Sequence, residues 1–306
     1  MPLYDSIIDT IGKTPTIKLH KISSDLPVEI FAKIEFFNPG GSIKDRPALN
    51  MIAQGEKQGL ITKDTEIVEA TSGNTGIGLA MVTAAKGYKM RIFMPENASV
   101  ERQKIMKAYG AKVVLTPVDE LMGGAVSRAK EYSEKNNAVF LTDQFKNENN
   151  PDIHRKTTAQ EIWKDLDGKI DVFVSCVGTG GTITGTGQAL KKLNSEIKVI
   201  AVEPTKSPVL SGGKPGKHSM EGMGAGFIPD VLDTTVYDEI IAISKEEAYE
   251  HSKLLAKSEG IFAGKSSGAA LAAAIKYTKK TMKKERILII IPDTGERYLS
   301  TDLWDE

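Results

Sequence analysis

Four glycine-dense segments of this 306-residue chain stand where runs of β-branched residues give out: 38–44, 71–76, 178–182 and 264–268. In open α/β sheets, ligands bind beyond the carboxyl ends of strands, so each turn is a candidate binding element. The run Ser175-Cys176-Val177-Gly178-Thr179-Gly180-Gly181-Thr182 leads into an expected helix at 183–190. Its glycines let backbone N–H groups close around an anion, Thr179 and Thr182 add hydroxyls, and the helix start adds positive potential. A tight turn that merely needs glycine accounts for the same residues. Thr71-Ser72-Gly73-Asn74-Thr75-Gly76 offers hydroxyls, an amide and free N–H groups, a set suited to clamping a carboxylate. Taken by itself, it also reads as a well-capped turn. Lys44, in Asn38-Pro39-Gly40-Gly41-Ser42-Ile43-Lys44-Asp45-Arg46, is one of many lysines, and a solvated helix face would explain it. The glycine turn before it and the three further turns make it a candidate amine nucleophile near a phosphate.

Other chemistries fit poorly. No Gly-x-x-x-x-Gly-Lys-Ser/Thr occurs, and Ile183 stands where a dinucleotide Gly-x-Gly-x-x-Gly needs its third glycine. Gly264-Lys265-Ser266-Ser267-Gly268 matches the Gly-x-Ser-x-Gly nucleophile elbow, but no histidine follows His251 to complete the triad in that order. His20, His154, His218 and His251 are scattered, and one cysteine cannot build a zinc site, so no metal is expected. Cys176 sits in an apolar strand and reads as an inert core thiol.

The elements that must position these turns alternate along the chain. Strands are expected at 29–34, 66–70, 89–94, 112–116, 172–177, 198–202 and 286–291, and helices at 77–86, 100–109, 124–135, 245–257 and 269–280. Ser244 and Glu247 form a capping box, Asn150 is expected to cap a helix opening at Pro151, and Gly87 and Gly110 close helices. Strand–helix repetition predicts an α/β fold of two lobes, each a mainly parallel twisted sheet covered by helices. The polar stretch 146–150 is a plausible junction, and 204–229, rich in Gly, Pro, Ser and Lys, is either disordered or functional. Lys+Arg and Asp+Glu both number 40. This balance removes the electrostatic case for nucleic acid or an anionic membrane. With no apolar run of spanning length and no signal-like start, a cytoplasmic location is expected.

Together these segments, from Thr10-Ile11-Gly12-Lys13-Thr14-Pro15 to Arg297-Tyr298-Leu299-Ser300-Thr301, resemble the cysteine synthase (O-acetylserine sulfhydrylase) family. These are pyridoxal 5'-phosphate (PLP) enzymes of the tryptophan-synthase-β fold type (fold type II). The resemblance implies that Lys44 holds PLP covalently and acts as catalytic base. It implies that Asn74 bonds the ring oxygen, that Gly178, Thr179, Gly180, Gly181 and Thr182 hold the phosphate, and that Ser266 faces the pyridine nitrogen. Thr71, Ser72, Thr75 and Gln144 would bind the substrate carboxylate, and Gly222 and Met223 would line the far side. It further implies a small mobile lobe, 38–148, and a large phosphate-binding lobe, 1–37 with 149–306, which close on a bound carboxylate. A homodimer is implied, and docking of a serine acetyltransferase C-terminus is a family precedent.

The implied reaction is β-elimination from a small amino acid, then addition of sulfide or a thiol. Cysteine synthesis from O-acetylserine and sulfide is the leading reading. The alternative is L-cysteine β-elimination releasing hydrogen sulfide, with serine or lanthionine formed; a non-catalytic partner-binding protein is a third. The wording departs from the family's at Pro47, Ala98, Glu221 and Lys265. The last two put charge near the expected pocket.

Overall fold

The computed structural model describes residues 3–305. In chain order the strands are β1 (Thr16–Lys18), β2 (Glu29–Ile34), β3 (Glu66–Ala70), β4 (Lys89–Pro95), β5 (Lys112–Thr116), β6 (Val139–Leu141), β7 (Val172–Cys176), β8 (Lys198–Pro204), β9 (Glu239–Ile243) and β10 (Arg286–Ile291). The helices are α1 (Asp45–Lys57), α2 (Asn74–Lys86), α3 (Val100–Ala108), α4 (Leu121–Lys135), α5 (Asn149–Ile153), α6 (Ala159–Asp165), α7 (Gly181–Leu193), α8 (Lys245–Leu254) and α9 (Lys265–Thr281). None is long and apolar enough to cross a membrane.

The chain divides into two compact units: 38–150 with the N-terminal residues up to Ile11, and 12–37 with the chain from Pro151 on. The N-terminal residues were expected with 149–306. They group with the first unit because Ile8 and Ile11 pack against its core of Ile52, Ile67, Ile77 and Met81. The first unit holds a four-stranded sheet, β5-β4-β3-β6, parallel throughout. The second holds a six-stranded sheet, β1-β2-β10-β7-β8-β9, in which only β1 runs antiparallel. This is the predicted α/β architecture. β7 (Val-Phe-Val-Ser-Cys) and β10 (Arg-Ile-Leu-Ile-Ile-Ile) bury nearly every residue, as parallel strands covered on both faces must.

Three strands escaped the sequence pattern. β1 and β6 are three-residue edge strands, too short to show a period, and β9 is a half-buried edge. Asn150 is not a helix cap. It lies inside α5, where its Nδ2 donates to the Gln144 carbonyl (2.8 Å), while the Asn147 side chain accepts from the Asn149 N–H (3.0 Å). The Ser244 capping box is present, with Glu247 N–H donating to Ser244 Oγ (3.2 Å) and Ser244 N–H to Glu247 Oε2 (2.9 Å). The irregular stretch after β8 is internally bonded. Buried Glu203 accepts from the N–H groups of Leu210 (2.8 Å) and Ser211 (3.1 Å), and Met220 and Met223 are buried in the second unit's core.

Candidate functional site

In the first unit, Lys44 is the residue that leads into α1. Gly41, at φ +77°, makes the turn before it. Asp45 ties the turn back by accepting from the Gly40 N–H (2.6 Å). Pro47, one of the departures, falls in the first turn of α1, where a helix tolerates proline because that N–H needs no intrahelical partner. A Cβ added to Gly78 would lie 3.0 Å from the Lys44 carbonyl oxygen, so α2 crosses hard against the Lys44 backbone. Burial lowers the Lys44 ammonium to about 8, with the Glu69 carboxylate pulling upward. A lysine so poised holds a substantial neutral fraction near neutral pH.

β3 ends at Ala70, and 71–73 turn directly into α2, whose first residue is Asn74. Thr71 Oγ1 accepts from the Gly73 N–H (3.2 Å). Thr75 donates its hydroxyl to Gln144 Oε1 (2.6 Å), so these two expected substrate ligands bond each other. Glu69, missed by sequence reasoning, organises this end of the sheet. It accepts from the Ala70 N–H (3.0 Å), the Thr142 hydroxyl (2.6 Å) and the Gln144 N–H (3.2 Å). Its signal was an acid set among Ile67, Val68 and Ala70, the buried apolar residues of β3. Lys44, the 71–75 turn and Gln144 are thus gathered around the carboxyl end of β3.

Glu69 predicts a pH dependence. Burial raises its carboxyl to about 7, against the lowering by its hydrogen bonds with Thr142, Gln144 and Ala70 and with the Asp143 charge adding to the rise. A raised acid costs nothing below its ordinary 4.5 and its full penalty above 7, so stability falls as pH rises through that window. Lys44 acts elsewhere: its penalty is full below 8 and relieved as pH climbs toward 10.5. Melting temperatures of cofactor-free Glu69→Gln and parent should therefore diverge in the variant's favour between pH 4.5 and 7. A constant difference would contradict the assignment.

In the second unit, β7 ends at Cys176 and the chain passes through Gly178, Thr179 and Gly180 into α7, which opens at Gly181. Gly180 takes φ +87°, a conformation that favours glycine. Thr179 and Gly181 are buried, while Gly178 and Thr182 keep partial exposure. A Cβ on Gly178 would meet the Gly222 carbonyl oxygen at 2.5 Å, and one on Gly222 would come within 3.9 Å of Ser266 Oγ. The Cys176 thiol donates to the Ser266 carbonyl (3.1 Å), tying the start of α9 to the end of β7. Burial pushes that thiol far up, as an inert core cysteine requires. The structure therefore brings the 178–182 cup, Gly222, Met223 and Ser266 together within this unit. His154, also missed, is buried, 3.4 Å from Thr182 Oγ1 through Nε2 and 2.9 Å from Thr158 Oγ1 through Nδ1. It sits in a π-helical turn, 154–158, which nothing in the sequence announces.

These residues fit PLP. The cup supplies backbone donors, hydroxyls and a helix start for a phosphate, and the absence of a Cβ at Gly178 lets the Gly222 backbone pack directly against it. Lys44 has the lowered ammonium that joining an aldehyde needs.

The pyridoxal-phosphate dependent enzyme family matches residues 7–293, and the chain belongs to it. Within that family, it is 50% identical to the cysteine synthase of Staphylococcus aureus over 301 residues, 98% of this chain and 97% of that protein. Among solved structures, it matches the cysteine synthase of Entamoeba histolytica at a TM-score of 0.96 and 43% identity, covering 100% of this chain and 92% of that one. It also matches a hydrogen sulfide-producing enzyme from Fusobacterium nucleatum at 0.94 and 46% identity, covering 97% and 100%.

Proposed function

We propose that the chain catalyses β-replacement on a small amino acid, making L-cysteine and acetate from O-acetyl-L-serine and sulfide. The observation that carries the reading is Lys44. Its ammonium is lowered to about 8 at a pinned backbone position, in a chain half identical to a cysteine synthase. PLP, when bound, supplies the sink for the electrons left at the substrate's Cα. Lys44 holds the group and, once released, takes the Cα proton on Nζ. Gly178, Thr179, Gly180, Gly181 and Thr182 hold the phosphate, with His154 behind Thr182. Asn74 donates to the ring oxygen. Thr71, Ser72, Thr75 and Gln144 hold the substrate carboxylate, and Gly222 and Met223 line the pocket opposite. The Ser266 hydroxyl serves the ring nitrogen. A hydroxyl holds a proton there less firmly than a carboxylate would, which favours β-elimination over transamination or decarboxylation. A cytoplasmic homodimer that docks a serine acetyltransferase C-terminus completes the reading.

The second reading, β-elimination of L-cysteine with release of hydrogen sulfide, is favoured by the likeness to the Fusobacterium enzyme. One experiment separates them: purified enzyme is supplied with O-acetylserine plus sulfide, or with L-cysteine alone, and sulfide is followed in each. Consumption with the first pair at a far higher rate than release from cysteine is expected. Efficient release with negligible use of O-acetylserine would reverse the order.

A further inference from the structure

Glu221 and Lys265, two charged departures from the family's wording, meet in the structure. Lys265 is the first residue of α9, where the helix end disfavours a cation, and its side chain is buried. Its Nζ lies 2.7 Å from Glu221 Oε2 and donates to the Ser219 carbonyl (3.0 Å). The rings of Tyr249 and Tyr298 each lie 5.4 Å from it, Tyr298 held by its own bond to Asp293 (2.7 Å). Glu221 immediately precedes Gly222 and Met223, and Lys265 immediately precedes Ser266. Elsewhere the strip is held by the burial of Met220 and Met223 in the core and by backbone bonds. Gly224 N–H donates to the Val177 carbonyl (2.8 Å), and His218 Nε2 donates to the Gly224 carbonyl (2.9 Å). The preceding 211–217 is exposed.

We propose that Glu221 and Lys265 are a positioning pair: they latch the Gly222 and Met223 strip to the start of α9 and so set the width of the pocket beside Ser266. The two charges cancel, so the latch adds no net charge for a substrate to meet. Its function is geometric. Breaking it from one side strands an ammonium that has been taken out of water at the positive end of a helix, a cost that stands even though the Glu221 side chain itself is 39% exposed. Removing or exchanging both charges avoids that cost. The effect on catalysis rests on the reading that Gly222 and Met223 line the substrate pocket.

Glu221→Gln, the double variant Glu221→Gln/Lys265→Gln, and the exchange Glu221→Lys/Lys265→Glu test this in the holoenzyme. Trypsin cleavage after the exposed Lys217 reports the latch without reference to turnover; Lys214, which precedes Pro215, is not a trypsin site. Cleavage in Glu221→Gln should accelerate roughly five-fold or more, since local opening tracks lost contacts. KM for the amino-acid substrate should rise by about ten-fold with kcat within about two-fold, the mark of lost binding geometry. The exchange variant should return both close to the parent values, while the double variant, which relieves the stranded charge but lacks the pair, should stay about as fast in cleavage as Glu221→Gln. Unchanged cleavage in Glu221→Gln, or an exchange variant as loose as the single one, overturns the latch. Faster cleavage with an unchanged KM overturns the placement of Gly222 and Met223 in the pocket.

Discussion

Lys44→Ala should reduce turnover by roughly 10³-fold or more, since it removes both the amine that holds the cofactor and the base for the Cα proton. Two observations set the size. Burial lowers the Lys44 ammonium to about 8, so losing the proton that attack and proton transfer require costs far less near neutral pH than for an ordinary lysine. Its backbone is fixed by the Gly41 turn and by the close crossing of α2 at Gly78, which holds the amine's attachment point in one place. The structural cost of the change is small: α1 keeps its start, and a strained burial of charge is relieved. The variant should therefore fold with a melting temperature at or above that of the cofactor-free parent. Covalent attachment gives the sharper readout. After borohydride reduction and denaturation, parent protein should retain the cofactor mass and the variant should not. A variant that retained the mass and the turnover would remove Lys44 from its role.

The sheets were legible because their central strands are buried on both faces and the edge strand β5 is still spelled by Val113, Val114 and Leu115. Runs such as Arg286–Ile291 spell themselves out in isoleucine and leucine, and the expected bounds of β2, β3, β5 and β10 match the structure. The site was legible in a different way. Its glycines, serines and threonines marked where chemistry could occur, yet the same residues hid the helices that carry it. α2 begins at Asn74, α7 at Gly181 and α9 at Lys265, each earlier than the apolar period starts at Ile77, Ile183 and Ala269. A helix first turn that binds with its backbone has no need of apolar residues, so it leaves no periodic trace. Glu69 and His154 were illegible for another reason. Each acts on a residue far away in sequence, Glu69 on Thr142 and Gln144, His154 on Thr182, and only folding creates those pairings. Glu221 and Lys265 could be seen as anomalies in the sequence, but nothing in the sequence told that each is the other's partner.

Gly268→Ala should cost about 3 kcal/mol or more, an overpacking penalty raised because the obstacle is backbone. This glycine closes the Gly-x-Ser-x-Gly pattern that suggested a nucleophile elbow, and the fold uses it otherwise. It lies in the first turns of α9, where that helix crosses α8, and a Cβ there would fall inside the Ala248 carbonyl and 2.5 Å from the Ser252 nitrogen. Neither atom can move alone, because Ser252 is committed: its hydroxyl donates to the Gly264 carbonyl (3.1 Å), holding the start of α9. α9 must then slide away from α8. Ser266 and Lys265 travel with it, away from the Cys176 thiol and from Glu221. At roughly 2–4 °C per kcal/mol for a domain of this size, the melting temperature should drop by about 6–12 °C. Ser267→Ala is the internal control. Its Oγ is buried without a hydrogen-bond partner, so deleting it should leave the melting temperature unchanged or slightly raised. Equal melting temperatures for Gly268→Ala and Ser267→Ala would mean that the helices separate without cost, and would return the glycine to the role of a turn residue.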